Sequence, residues 1–272
     1  MASSQNAVAF NAWLRRHPEV TTADKIFVRQ LCANANVGVD AWGRRRQQPV
    51  EISVALSLKQ SFTSAAQKDR VDPSTVHYGT LSKAILAAVD GQAQQHLPFD
   101  CLRSLVEDAI YSHVASGASL LALQLELSLP KASLIGAAVT LSYACSVGQE
   151  GRPYDHARSL HLRDLTVPTV VGVNEHEKER KQRIVVNIWL DVREAEGAAE
   201  CYGQAEHTVV ETIEDKPLET LESLATTIAS RLSEVLVSHL LPRGGIRVRV
   251  EKPSAVILAV ATGVEVVQYH MP

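Results

Sequence analysis

Residues 37–50 read VGVDAWGRRRQQPV and residues 171–184 read VGVNEHEKERKQRI. Both set Val-Gly-Val ahead of a polar loop and place a glutamine at the same distance beyond it. Gly38 pairs with Gly172 and Gln48 with Gln182, each 134 residues apart. A spacing of that size divides the 272-residue chain into two copies of one unit. The residues after each loop alternate. Val50, Ile52, Val54, Leu56 and Leu58 are apolar with Glu51, Ser53 and Ser57 between them, and Ile184, Val186, Ile188 and Leu190 repeat the pattern. Period two predicts a half-buried strand after each loop. A further strand is predicted before each, around 25–39 and 159–173.

Further along, Tyr78-Gly79 matches Tyr202-Gly203, 124 residues on, and Leu102-Arg103-Ser104-Leu105 is aligned with Leu221-Glu222-Ser223-Leu224, 119 on. These runs sit in helical patterns; Leu221, Leu224, Ala225, Ile228 and Leu232 recur at helical spacing. Each copy then closes with two strands. Leu123, Leu125 and Leu127 alternate with polar residues, as do Ile246, Val248 and Val250, and Leu129-Pro130 matches Lys252-Pro253 at an offset of 123. Each copy therefore reads β-β-α-α-β-β, which predicts an α+β fold with a four-stranded antiparallel sheet and two helices on one face. The expected organisation is an N-terminal extension over 1–23, part of it patterned as an amphipathic helix, a first module over 24–145, a linker over 146–158 (polar, with Gly and Pro) and a second module over 159–268.

Composition narrows the function classes. The chain has 27 basic and 30 acidic residues, a net charge of −3, which argues against nucleic acid as a partner. Arg44-Arg45-Arg46 is a short run in a solvated loop. No apolar run approaches the length of a membrane span, and the N-terminus lacks the apolar stretch of a secretory signal, so a cytoplasmic location is expected. Cys32, Cys101, Cys145 and Cys201 are dispersed and read as small core residues of a reducing compartment. The ten histidines form no HxxxH or HExxH pattern, so no metal site is expected.

The Val-Gly-Val strand end with its loop and glutamine, the Val76-His77-Tyr78-Gly79 run, the Leu221-Glu222-Ser223-Leu224-Ala225 helix and the Glu251-Lys252-Pro253 strand end together resemble dihydroneopterin aldolase, twice over, from about residue 24 to residue 268. The tandem form resembles the pair of aldolase modules at the start of fungal folate-synthesis polyproteins. The resemblance implies the tunnelling fold, in which sheets join edge to edge into a β-barrel ring with helices outside. It implies a homo-oligomer with active sites between modules, and two such rings stacked. It also implies an aldehyde-lyase that splits 7,8-dihydroneopterin into 6-hydroxymethyl-7,8-dihydropterin and glycolaldehyde. The dihydropterin's own C=N bond is the electron sink for this retro-aldol step, so the resemblance implies no cofactor, no metal and no Schiff-base lysine.

Residue by residue, the second copy matches the family's pattern. Glu222 stands at the position of the glutamate that anchors the pterin, a carboxylate facing two N–H donors. Leu221 stands where the backbone touches the pterin, Lys252 at the acid/base lysine, and Glu177 at the loop glutamate near the substrate's side chain. The first copy departs from the pattern: Arg103 replaces the anchoring glutamate, Leu129 the lysine and Gly43 the loop glutamate. It keeps Val76 and Tyr78, which in the family reach into a neighbour's site. The resemblance thus implies catalytic residues Lys252, Glu177 and Tyr78 and substrate-binding residues Glu222, Leu221 and Val76, with Tyr202 facing the disabled pocket of the first copy. Two other activities fit the same residues: epimerisation of dihydroneopterin or its triphosphate, and pterin binding without catalysis.

Overall fold

The computed structural model describes residues 7–72, 74–114, 119–149, 151–194, 197–215 and 218–270. The predicted order of strands and two long helices appears in each half, with a short helix added in each, one after the second strand of the first half and one between the first two strands of the second. The first half runs β1 (Lys25–Asn36), β2 (Gln47–Leu58), α3 (Thr63–Lys68), α4 (Tyr78–Gly91), α5 (Phe99–Val114), β3 (Leu120–Leu129) and β4 (Ala138–Val147). The second runs β5 (Pro153–Thr169), α6 (Glu175–Lys178), β6 (Gln182–Leu190), a 3-10 turn over Ala198–Cys201, α7 (Tyr202–Asp215), α8 (Leu221–Val235), β7 (Gly245–Lys252) and β8 (Thr262–Tyr269). Two short helices precede them, α1 (Val8–Arg16) and α2 (Glu19–Thr22).

All eight strands form one antiparallel sheet in sequence order, β1 to β8. The two four-stranded halves are fused by β4 and β5, which pair from Ala138 with Arg163 to Val147 with Pro153. The expected linker is accordingly shorter than 146–158. Ser146 and Val147 finish β4, residues 153–158 open β5, and only 148–152 lie between strands. Ladder bonds to β4 satisfy the backbone of this polar stretch, which outweighs its weak strand pattern. The sheet of one chain is open, with β1 and β8 as its edges.

Alternation along the strands sorts the two faces. Ile52, Val54, Leu56, Leu123, Leu125, Leu127, Val186, Ile188, Val248 and Val250 are buried against α4, α5, α7 and α8 in one continuous core. The opposite face carries Ser53, Glu126, Ser128, Thr140, Ser142, His161 and Asn187. Of the four cysteines, Cys145 and Cys201 are buried as expected, whereas Cys32 is exposed on the edge strand β1 and Cys101 is half-buried. The repeat extends to irregularities. β1 bulges at Gln30 and β5 at Asp164, both at positive φ (53° and 54°), and the displaced N–H groups donate to Ser53 Oγ and Asn187 Oδ1. Both pairs are again 134 residues apart.

The N-terminal extension covers one end of the polar face. There the small residues Ala122, Ala144 and Ala157 and the ring of Trp189 form a floor on which Phe10, Trp13 and Val20 pack. The buried carboxylate of Asp191 ties this helix to the sheet. It accepts from Ala9 N at 3.1 Å and from Gly245 N at 2.7 Å. Burial pushes its carboxyl up from 3.8 to about 6, against the lowering effect of those two N–H donors. The native state therefore holds a proton that the unfolded chain releases near pH 4. This contribution to stability is present below pH 4 and lost as pH rises through 6. Asp191→Asn is expected to remove that dependence. In urea titrations, wild type should lose about 3 kcal/mol relative to the variant between pH 4 and pH 7. Parallel pH profiles would contradict it.

Candidate active site

The repeated glutamine has a structural task in both copies. Gln48 Nε2 donates to Val37 O at 2.7 Å, and Gln182 Nε2 donates to Val171 O at 3.1 Å. Each glutamine thus reaches back across its loop to the end of the preceding strand. In the second copy it also donates to Glu177 O at 2.9 Å, which fixes α6. There Asn174 and Glu177 form a capping box; Asn174 N and Nδ2 donate to Glu177 Oε2 at 3.0 and 2.9 Å. The other oxygen of Glu177 pairs with Lys252.

Lys252 is the last residue of β7, on the helix side of the sheet in phase with Val248 and Val250, and is 6% exposed. Its ammonium donates to Glu177 Oε1 and, at 2.9 Å, to Val171 O. The hydrogen bond from Lys252, with those from Asn174, holds the Glu177 carboxyl down at about 2, so it is ionised across the physiological range. Gly172 makes this closure possible. Its φ is 147°, and a Cβ there would meet the Glu177 carboxyl carbon at 2.4 Å.

The start of α8 is brought to the same place. A bridge between Val171 and Leu218 sets the segment before α8 alongside the loop, and Thr220 caps the helix, accepting from Ser223 N at 3.2 Å. Leu221 opens the helix and is half-buried, and Glu222 follows in the first turn, exposed. Among the described residues no hydrogen bond or ion pair engages the Glu222 carboxylate. The helix N-terminus favours a negative charge there. Lys252, Glu177, Leu221 and Glu222 therefore lie on adjoining elements at one end of the sheet.

Val76 and Tyr78 lie elsewhere. Tyr78 opens α4, which packs on β1 at the opposite edge of the sheet from β7 and β8. His77 caps that helix, its ring Nδ1 accepting from Gly79 N at 3.0 Å. Val76 is buried, whereas Tyr78 is 67% exposed. Its counterpart Tyr202 is 1% exposed. Tyr202 crosses into the first half, where its hydroxyl donates to Val39 O at 2.8 Å and accepts from Val39 N at 2.6 Å. It lies against Gly38, whose φ of 55° and missing Cβ leave room for the phenol, with Leu129 beside it. Tyr202 thus faces the loop and strand end of the first copy that correspond to the Lys252 site of the second.

One expectation fails. Arg103 does not occupy the position equivalent to Glu222. α5 begins at Phe99, and its buried residues Leu102, Val106 and Ile110 stand in register with Leu224, Ile228 and Leu232 of α8. The offset is 122, not 119. Phe99 corresponds to Leu221, Asp100 to Glu222 and Arg103 to the core residue Ala225. Matching Leu-Arg-Ser-Leu to Leu-Glu-Ser-Leu gained three identities but slipped the helix by most of a turn. Phe-Asp-Cys-Leu, at an offset of 122, lies closer than 119 to the flanking offsets of 124 and 123 and is the better signal.

The sequence model of the dihydroneopterin aldolase family (FolB) matches residues 26–144 and again residues 160–268. The folic acid synthesis protein fol1 of Schizosaccharomyces pombe is 27% identical over 248 residues, covering 89% of this chain and 30% of that protein. Its namesake in Pneumocystis carinii is 24% identical, covering 90% and 32%. The chain thus spans under a third of the length of these curated relatives. Among solved structures, urate oxidase from Bacillus sp. TB-90 is similar with a TM-score of 0.64 at 10% identity, over 90% of this chain and 98% of that one. That likeness speaks of the fold alone, and it runs through both halves of the sheet.

Proposed function

This chain belongs to the dihydroneopterin aldolase family, and from that premise we propose that it is a dihydroneopterin aldolase of folate synthesis, an aldehyde-lyase whose catalytic set sits in its second module. The observation that carries this reading is the buried Lys252 ammonium, held by Glu177 and Val171 O beside the opening turn of α8. The open carboxylate of Glu222 suits the 2-amino and ring N–H donors of a dihydropterin, with the backbone at Leu221 completing the edge. Cleavage removes a proton from the side-chain hydroxyl on the carbon that leaves as glycolaldehyde. The carbon–carbon bond breaks, its electron pair enters the ring's C=N system, and the resulting enamine carbon takes up a proton. Lys252 is the acid/base group in this reading, buried at the strand end, and the ionised Glu177 carboxylate orients it.

In this reading the site is completed by a second copy of the chain. Tyr78 lies at the far edge of the sheet from Lys252, so no single chain can join them. The joint between the two halves supplies the template: Tyr202 meets the Val37-Gly38-Val39 loop, and Tyr78 of another copy would meet Val171-Gly172-Val173 in the same way. The edge strand β1 of one copy would then pair with β8 of the next and extend the sheet into a barrel, which removes both exposed edges. The test is to supply purified protein with 7,8-dihydroneopterin and quantify both products. Equal amounts of 6-hydroxymethyl-7,8-dihydropterin and glycolaldehyde are expected. Epimer without glycolaldehyde would replace this reading with an epimerase, and binding without either product would replace it with a pterin-binding scaffold.

A further inference from the structure

The corrected helix register reveals what became of the first module's pocket. Asp100 stands where Glu222 stands in the second module, so a carboxylate is present at that position in both. The Asp100 carboxylate is not open. It is paired with the guanidinium of Arg158, which projects from β5 of the other half and whose side chain is 3% exposed. The backbone N–H of Phe99, equivalent to Leu221, donates to the carboxylate of Glu200. The backbone of Val39 is taken by Tyr202. Arg158, Glu200 and Tyr202 all come from the second half, and together they occupy the groups that its own counterpart site leaves open to solvent.

We propose that the joint between the modules is a ligand pocket filled by the protein's own side chains, with the Arg158 guanidinium standing in for a guanidine-type ligand on Asp100. This rests on the reading of Glu222 as an anchor for a cyclic guanidine such as a 2-amino-4-oxopteridine. The chemistry is the same on both sides. Arg158 meets Asp100 as an ion pair between one guanidinium nitrogen and one carboxylate oxygen, and a guanidinium carries the same N–C–N arrangement of donors as the edge of such a ring. Burial pushes the Asp100 carboxyl up, and Arg158 opposes this, so the pair is matched only while the guanidinium is in place. A groove of about 520 Å³ lined by Asp100, Arg158, Arg103, Cys101, Ser104 and Glu194 leads from solvent to this pair. The charge of Arg103 also acts on Asp100, but its guanidinium pairs with Glu107 and lies over the Tyr143 ring. Deleting the Arg158 side chain therefore opens a cation-shaped hole that solvent can reach and that faces a buried carboxylate.

The experiment is chemical rescue of Arg158→Ala, read by thermal melting with guanidinium chloride as probe at ~20 mM, against equimolar sodium chloride. The variant alone should melt about 10 °C lower than wild type. Guanidinium should restore a large part of that loss in Arg158→Ala, should not raise the melting temperature of wild type, and should lose its effect when Asp100→Asn is added. Absence of rescue, or rescue that survives Asp100→Asn, would overturn the proposal. If Arg158→Ala does not fold, the double variant with Asp100→Asn carries the comparison. It should fold better than the single variant, because the unpaired carboxylate is gone, whereas Asp100→Asn alone should destabilise wild type. The opposite order would overturn the proposal. Melting does not depend on turnover, so rescue without dihydroneopterin cleavage would sink the aldolase reading and spare the filled pocket, and cleavage without rescue would do the reverse.

Discussion

Lys252→Ala is expected to lower kcat for dihydroneopterin cleavage by about 10²- to 10⁴-fold, the usual contribution of a positioned acid or base. The loss should fall on kcat, because Lys252 contacts Glu177 and Val171 O, while the groups assigned to the pterin are on α8. KM should therefore change little. The protein should remain folded. Glu177 loses one partner but keeps both bonds from Asn174 and can be hydrated from the loop side. A drop in melting temperature of a few degrees with turnover near the wild-type rate would mean that the pair only closes the loop. Single-turnover measurements with product quantification separate the two outcomes.

Trp13→Ala is expected to cost about 3–5 kcal/mol of stability, the range for truncating a fully buried aromatic side chain. Trp13 is completely buried and packs over the alanine floor and Trp189, and its indole N–H donates to Asp155 O at 2.8 Å. Truncation leaves a cavity and a carbonyl without its donor. The effect on catalysis should be small for folded protein, because α1 docks where β7 begins. Val8 lies against Gly245, and Lys252 ends the same strand seven residues further on, about 23 Å away. Guanidinium chloride unfolding curves with a shifted midpoint and unchanged specific activity below the transition would agree. Loss of activity before unfolding would show that the extension supports the site.

These two expectations mark what the sequence made legible. The alternation from Val50 to Leu58 and from Ile246 to Val250 announced strands because one face of each is apolar and the other polar. The repeated glutamine identified the loop because the task shared by both copies, a bond back to the strand end, demands a fixed spacing. Lys252 and Glu177 could be named from motif position, but their contact could not, since a β-strand end and a loop 75 residues apart meet only after the sheet forms. The docking of α1 was hidden for a related reason. Its floor is three alanines and a tryptophan on strands β3 to β6, a patch that only the assembled sheet makes continuous. Arg103 lies in a run that shares identities with the opening of α8 but not its register. Helix burial at Leu102, Val106 and Ile110 decides the alignment, and with it the fate of the first pocket.

Each active site is proposed to be shared between two copies of the chain, and the decisive experiment mixes two disabled variants. Lys252→Ala and Tyr78→Phe should each be deficient when alone. Refolded together in equal amounts, about a quarter of the interfaces should combine an intact Lys252 from one chain with an intact Tyr78 from another, and about a quarter of wild-type activity should return. Activity that stays at the level of the separate variants after co-assembly would contradict a site built from two chains.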